Sequence, residues 1–297
     1  ILQNQGVVRG YGKTVMSQVP FQVLRQIVLV SFLATVWVVG LEIGPKGYLN
    51  AALAGAIVAL AGVGFVLSRN KLANDVPAQT PTLGWLGSNA SPFFIGSVLA
   101  LLLGEITTLM LAWWTDAEQT GLFQPIARIA PLIMLGAHAA SVRYGPRVSE
   151  LLAKGEFDRI KAITRAFTLT TTAFAIISSV TLLLLGKWIL GLFGEAYTVN
   201  ITALWWIAGA QIFNAACGPV WSLLVMSGNT ARTIAPQLLG LLAHVTLGAF
   251  LIPESGAMGA AIAMSGGIVI WNIALLVQVR RVLPIDPTLF SSFKRQV

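Results

Sequence analysis

An all-α membrane protein with eight transmembrane helices is predicted by three features of the sequence. These are its apolar composition, a succession of membrane-length apolar runs, and basic residues that alternate between the connections. Of the 297 residues, 56% are hydrophobic and only 10% charged, where a soluble domain carries about 25% charged residues. Mean hydropathy is +0.79. So few charges cannot cover the surface of a soluble fold of this length, and lipid is the solvent that suits them.

A spanning helix needs about 20 predominantly apolar residues, at about 1.5 Å each, to cross a hydrocarbon core about 30 Å thick. Eight runs qualify: Val23–Leu41, Leu49–Ser68, Ser91–Trp114, Gly121–Val142, Ala166–Gly186, Ile201–Met226, Thr233–Ile252 and Ser255–Val279. Arg25 lies in the first turn of the first run and must snorkel to the interface. One set of alternate connections holds 16 of the 19 Lys and Arg residues; the other holds Lys46 and Lys187, and Arg128 lies inside the fourth run. The positive-inside rule places both termini in the cytoplasm. A missed or spurious helix would scramble this split, so it also supports the count of eight. The net charge of +8 is thus a topology signal, and no nucleic-acid partner is expected. The one cysteine, Cys217, sits in an apolar run, which excludes a disulfide framework and a Cys-based metal site. The chain starts at Ile1 with neither Met nor a signal-peptide pattern, and a truncated N-terminus is expected.

Between the spans, Arg143–Arg165 reads as two amphipathic pieces broken at Gly155, facing lipid headgroups. The stretch 69–90 carries Pro77, Pro81, Gly84 and Gly87 and reads as a linker between two bundles. Two parts of the chain also read alike. Gly12-Lys13-Thr14 precedes Pro20 as Gly228-Asn229-Thr230 precedes Pro236, and each Pro opens a helix. After that helix, Gly47-Tyr48-Leu49-Asn50-Ala51-Ala52-Leu53-Ala54 corresponds to Gly256-Ala257-Met258-Gly259-Ala260-Ala261-Ile262-Ala263. The first two spans therefore match the last two. Residues 1–68 are expected to be the last two helices of an N-lobe with a preceding cytoplasmic loop. Residues 91–282 are expected to be a complete six-helix C-lobe, and 283–297 a cytoplasmic tail. The whole would be a two-lobe, twelve-helix transporter whose first four helices are missing, its lobes related by an axis along the membrane normal.

Catalytic and metal-binding patterns fare poorly. Gly12-Lys13-Thr14 fails as a phosphate loop, because Val7 stands where that pattern needs Gly and no strand precedes it. His138 and His244 lie within spans without a partner ligand, and are expected to be hydrogen-bonded interface residues rather than metal ligands. The outer loops, about 42–48, 115–120, 187–200 and 253–254, are too short to hold the reacting ends of a sugar polymerase or ligase. Neither an enzyme nor a cofactor is expected.

Charges at membrane depth are the sharpest signals, since each costs several kcal/mol unless paired or wetted. Glu105 lies about 13 Å from the outer end of its span at Trp114, and Arg128 about 10 Å from Gly121, on antiparallel neighbours. They form either a structural ion pair or a functional couple, with Arg128 binding an anionic group and Glu105 carrying a coupling proton. Gln124 lies one turn from Arg128 on the same face. Gln211, Asn214, Gly218 and Ser222 form a polar stripe on the sixth span, kinked at Pro219. The stripe either lines a cavity or joins helices. Trp113, Trp114, Trp188, Trp205 and Trp206 fall near span ends, as an aromatic belt does.

One family shares several of these motifs. Gly121-Leu122-Phe123 with Ala127-Arg128-Ile129-Ala130, Pro146 to Gly155, Leu192-Phe193-Gly194, Gly218-Pro219 with Ser227-Gly228, and Ile252-Pro253 with Gly256–Ala263 resemble the polysaccharide-transport (Wzx-type) flippases. These belong to the multidrug/oligosaccharidyl-lipid/polysaccharide exporter superfamily. The resemblance covers essentially the whole chain, as helices five to twelve of twelve, and rests on Gly, Pro and small residues that specify fold rather than substrate. It implies a secondary transporter in the bacterial inner membrane, moving polyprenyl-diphosphate-linked oligosaccharide to the outer leaflet for envelope polysaccharide assembly. Arg128, Gln124, Gln211 and Asn214 would contact substrate and Glu105 would carry the coupling ion. The expected partners are the lipid-linked oligosaccharide and membrane lipid, with a monomeric transporter beside polysaccharide polymerase machinery. A multidrug cation exporter of the same superfamily is the alternative, and a membrane enzyme of lipid-linked sugar assembly the third reading.

Overall fold

The computed structural model describes residues 83–292, with isolated helical positions between Ile27 and Ala61. The chain divides into two compact units, Ile1–Pro81 and Thr82–Val297. In the first, Ile27, Ser31, Phe32 and Thr35 are helical within the first expected span, and residues 53–58 within the second. The remainder of those spans, the Gly12–Pro20 half of the repeat, most of the expected linker and residues 293–297 lie outside the described residues.

All the described elements of the second unit are helical. Helix α1 is Leu83–Trp114, α2 Ala117–Ile129 and α3 Leu135–Ala153, the last two joined by the 3-10 turn Ala130–Met134. Then come α4 (Phe157–Gly191), α5 (Ile201–Ala216), α6 (Val220–Met226) and α7 (Ile234–Val282). Among the described residues, four helices are long and apolar enough to cross a membrane, or five if α5 and α6 form one bent span.

Helix α1 begins at Leu83, inside the stretch expected to be linker. Gly84 and Gly87 lower helix preference there without breaking the helix, and Pro92 sits inside it. The Arg143–Arg165 segment is two helical pieces broken at Gly155, φ +70°, and each continues into a longer helix, α3 and α4. Its charges pair along the helices, Glu150 with Arg147 and Lys154, Glu156 with Arg159 and Asp158 with Lys161. The sixth expected span breaks where Gly218-Pro219 stand: Gly218 takes φ +76°, and α6 leaves α5 at 42°. Pro219 has no N–H to continue the helix.

Helix α7 is a hairpin rather than a rod. Gly256 leaves helical geometry with φ 50° and ψ −125°, a region essentially reserved for glycine, and the two arms run back along each other. A Cβ on Gly240 would stand 2.7 Å from the Trp271 Cβ, one on Gly267 2.9 Å from the His244 Cβ, and one on Gly259 2.2 Å from the Leu251 carbonyl oxygen. These pairings, 240 with 271, 244 with 267 and 251 with 259, are those of an antiparallel hairpin turning near 256. The absence of side chains lets the arms approach this closely, as small residues do at helix interfaces in lipid.

Inside and outside follow membrane rules. Leu101, Ile177, Leu184 and Phe250 are largely exposed on the outside of the bundle. On α4, by contrast, the buried stripe holds Thr164, Thr168, Thr171, Thr172, Ser179 and Gly186. Within the expected tail, 283–291 pack against the bundle: Leu283, Ile285 and Thr288 are buried. Thr168 Oγ1 donates to the Pro287 carbonyl at 2.8 Å, and Arg280 pairs with Asp286 at 2.8 Å.

Candidate functional site

The α1–α2 corner is built by Asp116, whose carboxylate accepts the Gln119 amide at 2.7 Å and caps α2. Gln124 Nε2 then donates to Thr108 Oγ1 at 3.2 Å and sets the register of the two antiparallel helices. In that register Glu105 on α1 faces the level of Arg128 on α2. Both side chains are exposed. Five ion pairs join described residues and none of them links Glu105 to Arg128. The structural pair weighed in the sequence is therefore not formed within 4.0 Å, and the two charges stand separately on the outside of this unit.

The second set of expected site residues lies elsewhere. Gln211 is buried, and its Oε1 accepts from Asn214 Nδ2 at 3.1 Å. Among the described residues no hydrogen bond ties this pair to Gln124 or Arg128. Asn214, Gly218 and Ser222 line a cavity of about 220 Å³ between α3, α4, α5, α6 and α7, and Gln211 does not. A neighbouring cavity of about 440 Å³ lies between α1, α3, α6 and α7. The two share His138, Ser141, Trp221, Ser222 and Trp271. No Asp, Glu, Lys or Arg lines either one. Of the two roles weighed for the polar stripe on the sixth span, Asn214, Gly218 and Ser222 take the cavity-lining one, while the Gln211–Asn214 bond lies within α5 and joins no second helix.

Two further features complete the surroundings. His244, fully inside, shares a 3.0 Å hydrogen bond with Thr107 that ties α7 to α1, whereas His138 faces the cavities. A wide apolar groove of about 770 Å³ runs between α5 and α7, bordered by Trp205, Trp206, Phe213, Leu247 and Ile270. Trp113, Trp114, Trp188, Trp205 and Trp206 are all exposed.

No family model matches this sequence, and no curated protein matches it. A solved structure does: a mutant of the Vibrio cholerae MATE transporter VcmN, with a TM-score of 0.70 over 94% of this chain. The fold is that of a MATE transporter. Identity is 17%, which speaks for the fold alone, and the match spans 65% of the length of that transporter. The apolar helices fit a multi-pass membrane protein.

Sequence reasoning missed several residues near these cavities. Gln237 follows Pro236 at the start of α7 and looks like a helix-end residue, yet it is 3% exposed. Trp271 looks like one more apolar residue of the last span. Thr107 looks like an ordinary polar residue in an apolar run. Only packing reveals their neighbours.

Proposed function

We propose that this chain is the larger part of a secondary transporter that flips polyprenyl-diphosphate-linked oligosaccharide across the bacterial inner membrane by alternating access. In this reading the second unit is a six-helix lobe, with the two arms of α7 as its last two crossings. Residues before 69 close a preceding lobe, and both termini are cytoplasmic. The observation that carries the reading is Arg128, a guanidinium exposed on α2 with no carboxylate within 4.0 Å among the described residues. An unpaired guanidinium fork is suited to a diphosphate. Glu105, at the same level on α1, carries the coupling proton.

The cation-exporter reading needs carboxylates where the substrate binds. Among residues lining the described cavities the acid is Asp286, already paired with Arg280 at 2.8 Å. That favours an anionic substrate. The test uses the chain together with the four helices expected before it, reconstituted in liposomes with a fluorescent polyprenyl-diphosphate oligosaccharide. Arg128→Ala should lower flipping by about 100-fold, the upper range for one lost charge-assisted contact at about 3 kcal/mol, with expression unchanged. Arg128→Lys should restore part of the rate, since it keeps the charge and loses the fork. Full activity in Arg128→Ala would remove the basis of the reading.

A further inference from the structure

We propose that residues 283–291 form a strap that splints the break between α5 and α6. The angle of α6, and with it the shape of the 220 Å³ cavity beside it, then depends on the strap being seated. The device lies within the second unit and acts whatever substrate is carried.

The break needs an outside support. Gly218 takes φ +76° and Pro219 has no N–H, so the helical ladder stops there and α6 leaves at 42°. A glycine by itself does not hold one angle, because it populates both signs of φ readily. The strap meets the chain on both sides of this glycine. On the α5 side, Asp286, Thr288 and Phe290 line a cavity of about 240 Å³ together with Phe213 and Cys217. On the α6 side, Leu283 and Ile285 are buried in one cluster with Val220, Leu223 and Leu224. At the break itself a Cβ on Gly218 would run into the Pro287 carbonyl oxygen and lie 2.6 Å from Thr168 Oγ1. A segment gripping one side of the break would leave the angle free; one gripping both sides fixes it.

Asp286 ties the strap into shape. One carboxylate oxygen accepts the Thr288 amide at 3.1 Å and the Thr288 hydroxyl at 2.8 Å, and the other accepts from Arg280 at 2.8 Å. Ser291 Oγ donates to the Asp286 carbonyl at 2.8 Å. The seat is also suited to release. The Arg280 and Asp286 side chains are 52% and 41% exposed, where an ion pair contributes little. The Thr168 hydroxyl donates to the Pro287 carbonyl at 2.8 Å and has the Thr164 carbonyl, at 3.0 Å in its own helix, as a second acceptor. When the strap lifts, that hydroxyl keeps a partner and the Pro287 carbonyl passes to water, so neither is orphaned. The 220 Å³ cavity feels the change directly. Asn214 lines it from before the break, and Trp221 and Ser222 line it from after. A change of bend moves one wall against the other.

The test uses the full chain in detergent and two readouts. Seating of the strap is read by maleimide alkylation of Cys217, which is 4% exposed and lines the cavity under the strap. The bend is read by the distance between spin labels on Trp206→Cys in α5 and Ala231→Cys just beyond α6, in a Cys217→Ala background. Helix α6 has seven residues, about 10 Å at about 1.5 Å each, so a change of bend of about 20° moves its end by about 3–4 Å. Asp286→Ala unties the strap and should speed alkylation by about tenfold, or about 1.4 kcal/mol. Thr168→Val removes the anchor and should speed it by about fivefold, or about 1 kcal/mol. Both should shift or broaden the 206–231 distance. Arg281→Ala, beside Arg280 but not paired with Asp286, should change neither readout. Labels on Thr181→Cys and Phe250→Cys, both exposed and away from the strap, should keep their distance throughout, which separates a freed hinge from a loosened fold. Faster alkylation with an unchanged 206–231 distance would overturn the proposal, since the strap would then rest on a bend that holds itself. Unchanged alkylation in both variants, an equal response in Arg281→Ala, or a shift of the 181–250 distance along with the other would overturn it as well.

Discussion

The outer face of the α1–α2 corner and the interior between α1, α6 and α7 are opposites. The corner carries the charges, Glu105 and Arg128, both exposed and unpaired with each other. The interior carries hydroxyls, amides and indoles with no charge among the cavity linings. In a soluble enzyme the chemistry is concentrated inside and the outside is solvated. Here Glu105 and Arg128 stand outside, while the groups lining these two cavities are polar but neutral. A substrate with an anionic link and a neutral oligosaccharide is divided in the same way.

That contrast can be broken most readily from the interior. Gly259→Ala puts a methyl 2.2 Å from the Leu251 carbonyl oxygen, a backbone atom. It should cost about 3 kcal/mol, the upper range for overpacking, read as a lower thermal midpoint; an unchanged midpoint would mean the arms of α7 are not in contact. Next, Thr107→Val strands the His244 ring, and should cost about 1–3 kcal/mol as an unsatisfied buried group. The same measurement on Thr181→Val, exposed on α4 and bonded only to the Ile177 carbonyl at 2.9 Å, should show little change and serves as the control. The smallest effect belongs to the charged face. Glu105→Gln and Arg128→Gln should each change stability by less than about 0.5 kcal/mol, and the double mutant should equal their sum within about 0.5 kcal/mol. A coupling energy of several kcal/mol would restore the ion pair that the geometry lacks. The same Glu105→Gln should remove the pH dependence of flipping while leaving the fold intact.

Much of this architecture was legible because lipid leaves the backbone few choices. The apolar runs marked the helices, Gly155 and Gly218-Pro219 marked their breaks, and the turn near Pro253–Gly256 separated two arms that are otherwise one long apolar stretch. What was not legible depends on tertiary contact. Glu105 and Arg128 looked like partners because they share a level on adjacent helices, but a shared level does not settle the direction of a side chain. Nothing in the sequence after Val282 signalled packing; the segment packs because Leu283 and Ile285 are buried against the bundle and Thr168 donates to the Pro287 carbonyl. Gln237 and Trp271 carry no periodic signal at all. That each leaves one buried side-chain atom without a partner is something only a packed structure can show.

The central claim is that an anion is read on the α2 face while the interior remains neutral. The most direct test measures two fluxes in the same proteoliposomes, with the upstream helices present: a labelled polyprenyl-diphosphate oligosaccharide and a fluorescent organic cation. The account predicts movement of the oligosaccharide, its loss in Arg128→Ala and partial return in Arg128→Lys, and no movement of the cation in any of the three. Transport of the cation by the unmodified protein, undiminished in Arg128→Ala, would contradict it.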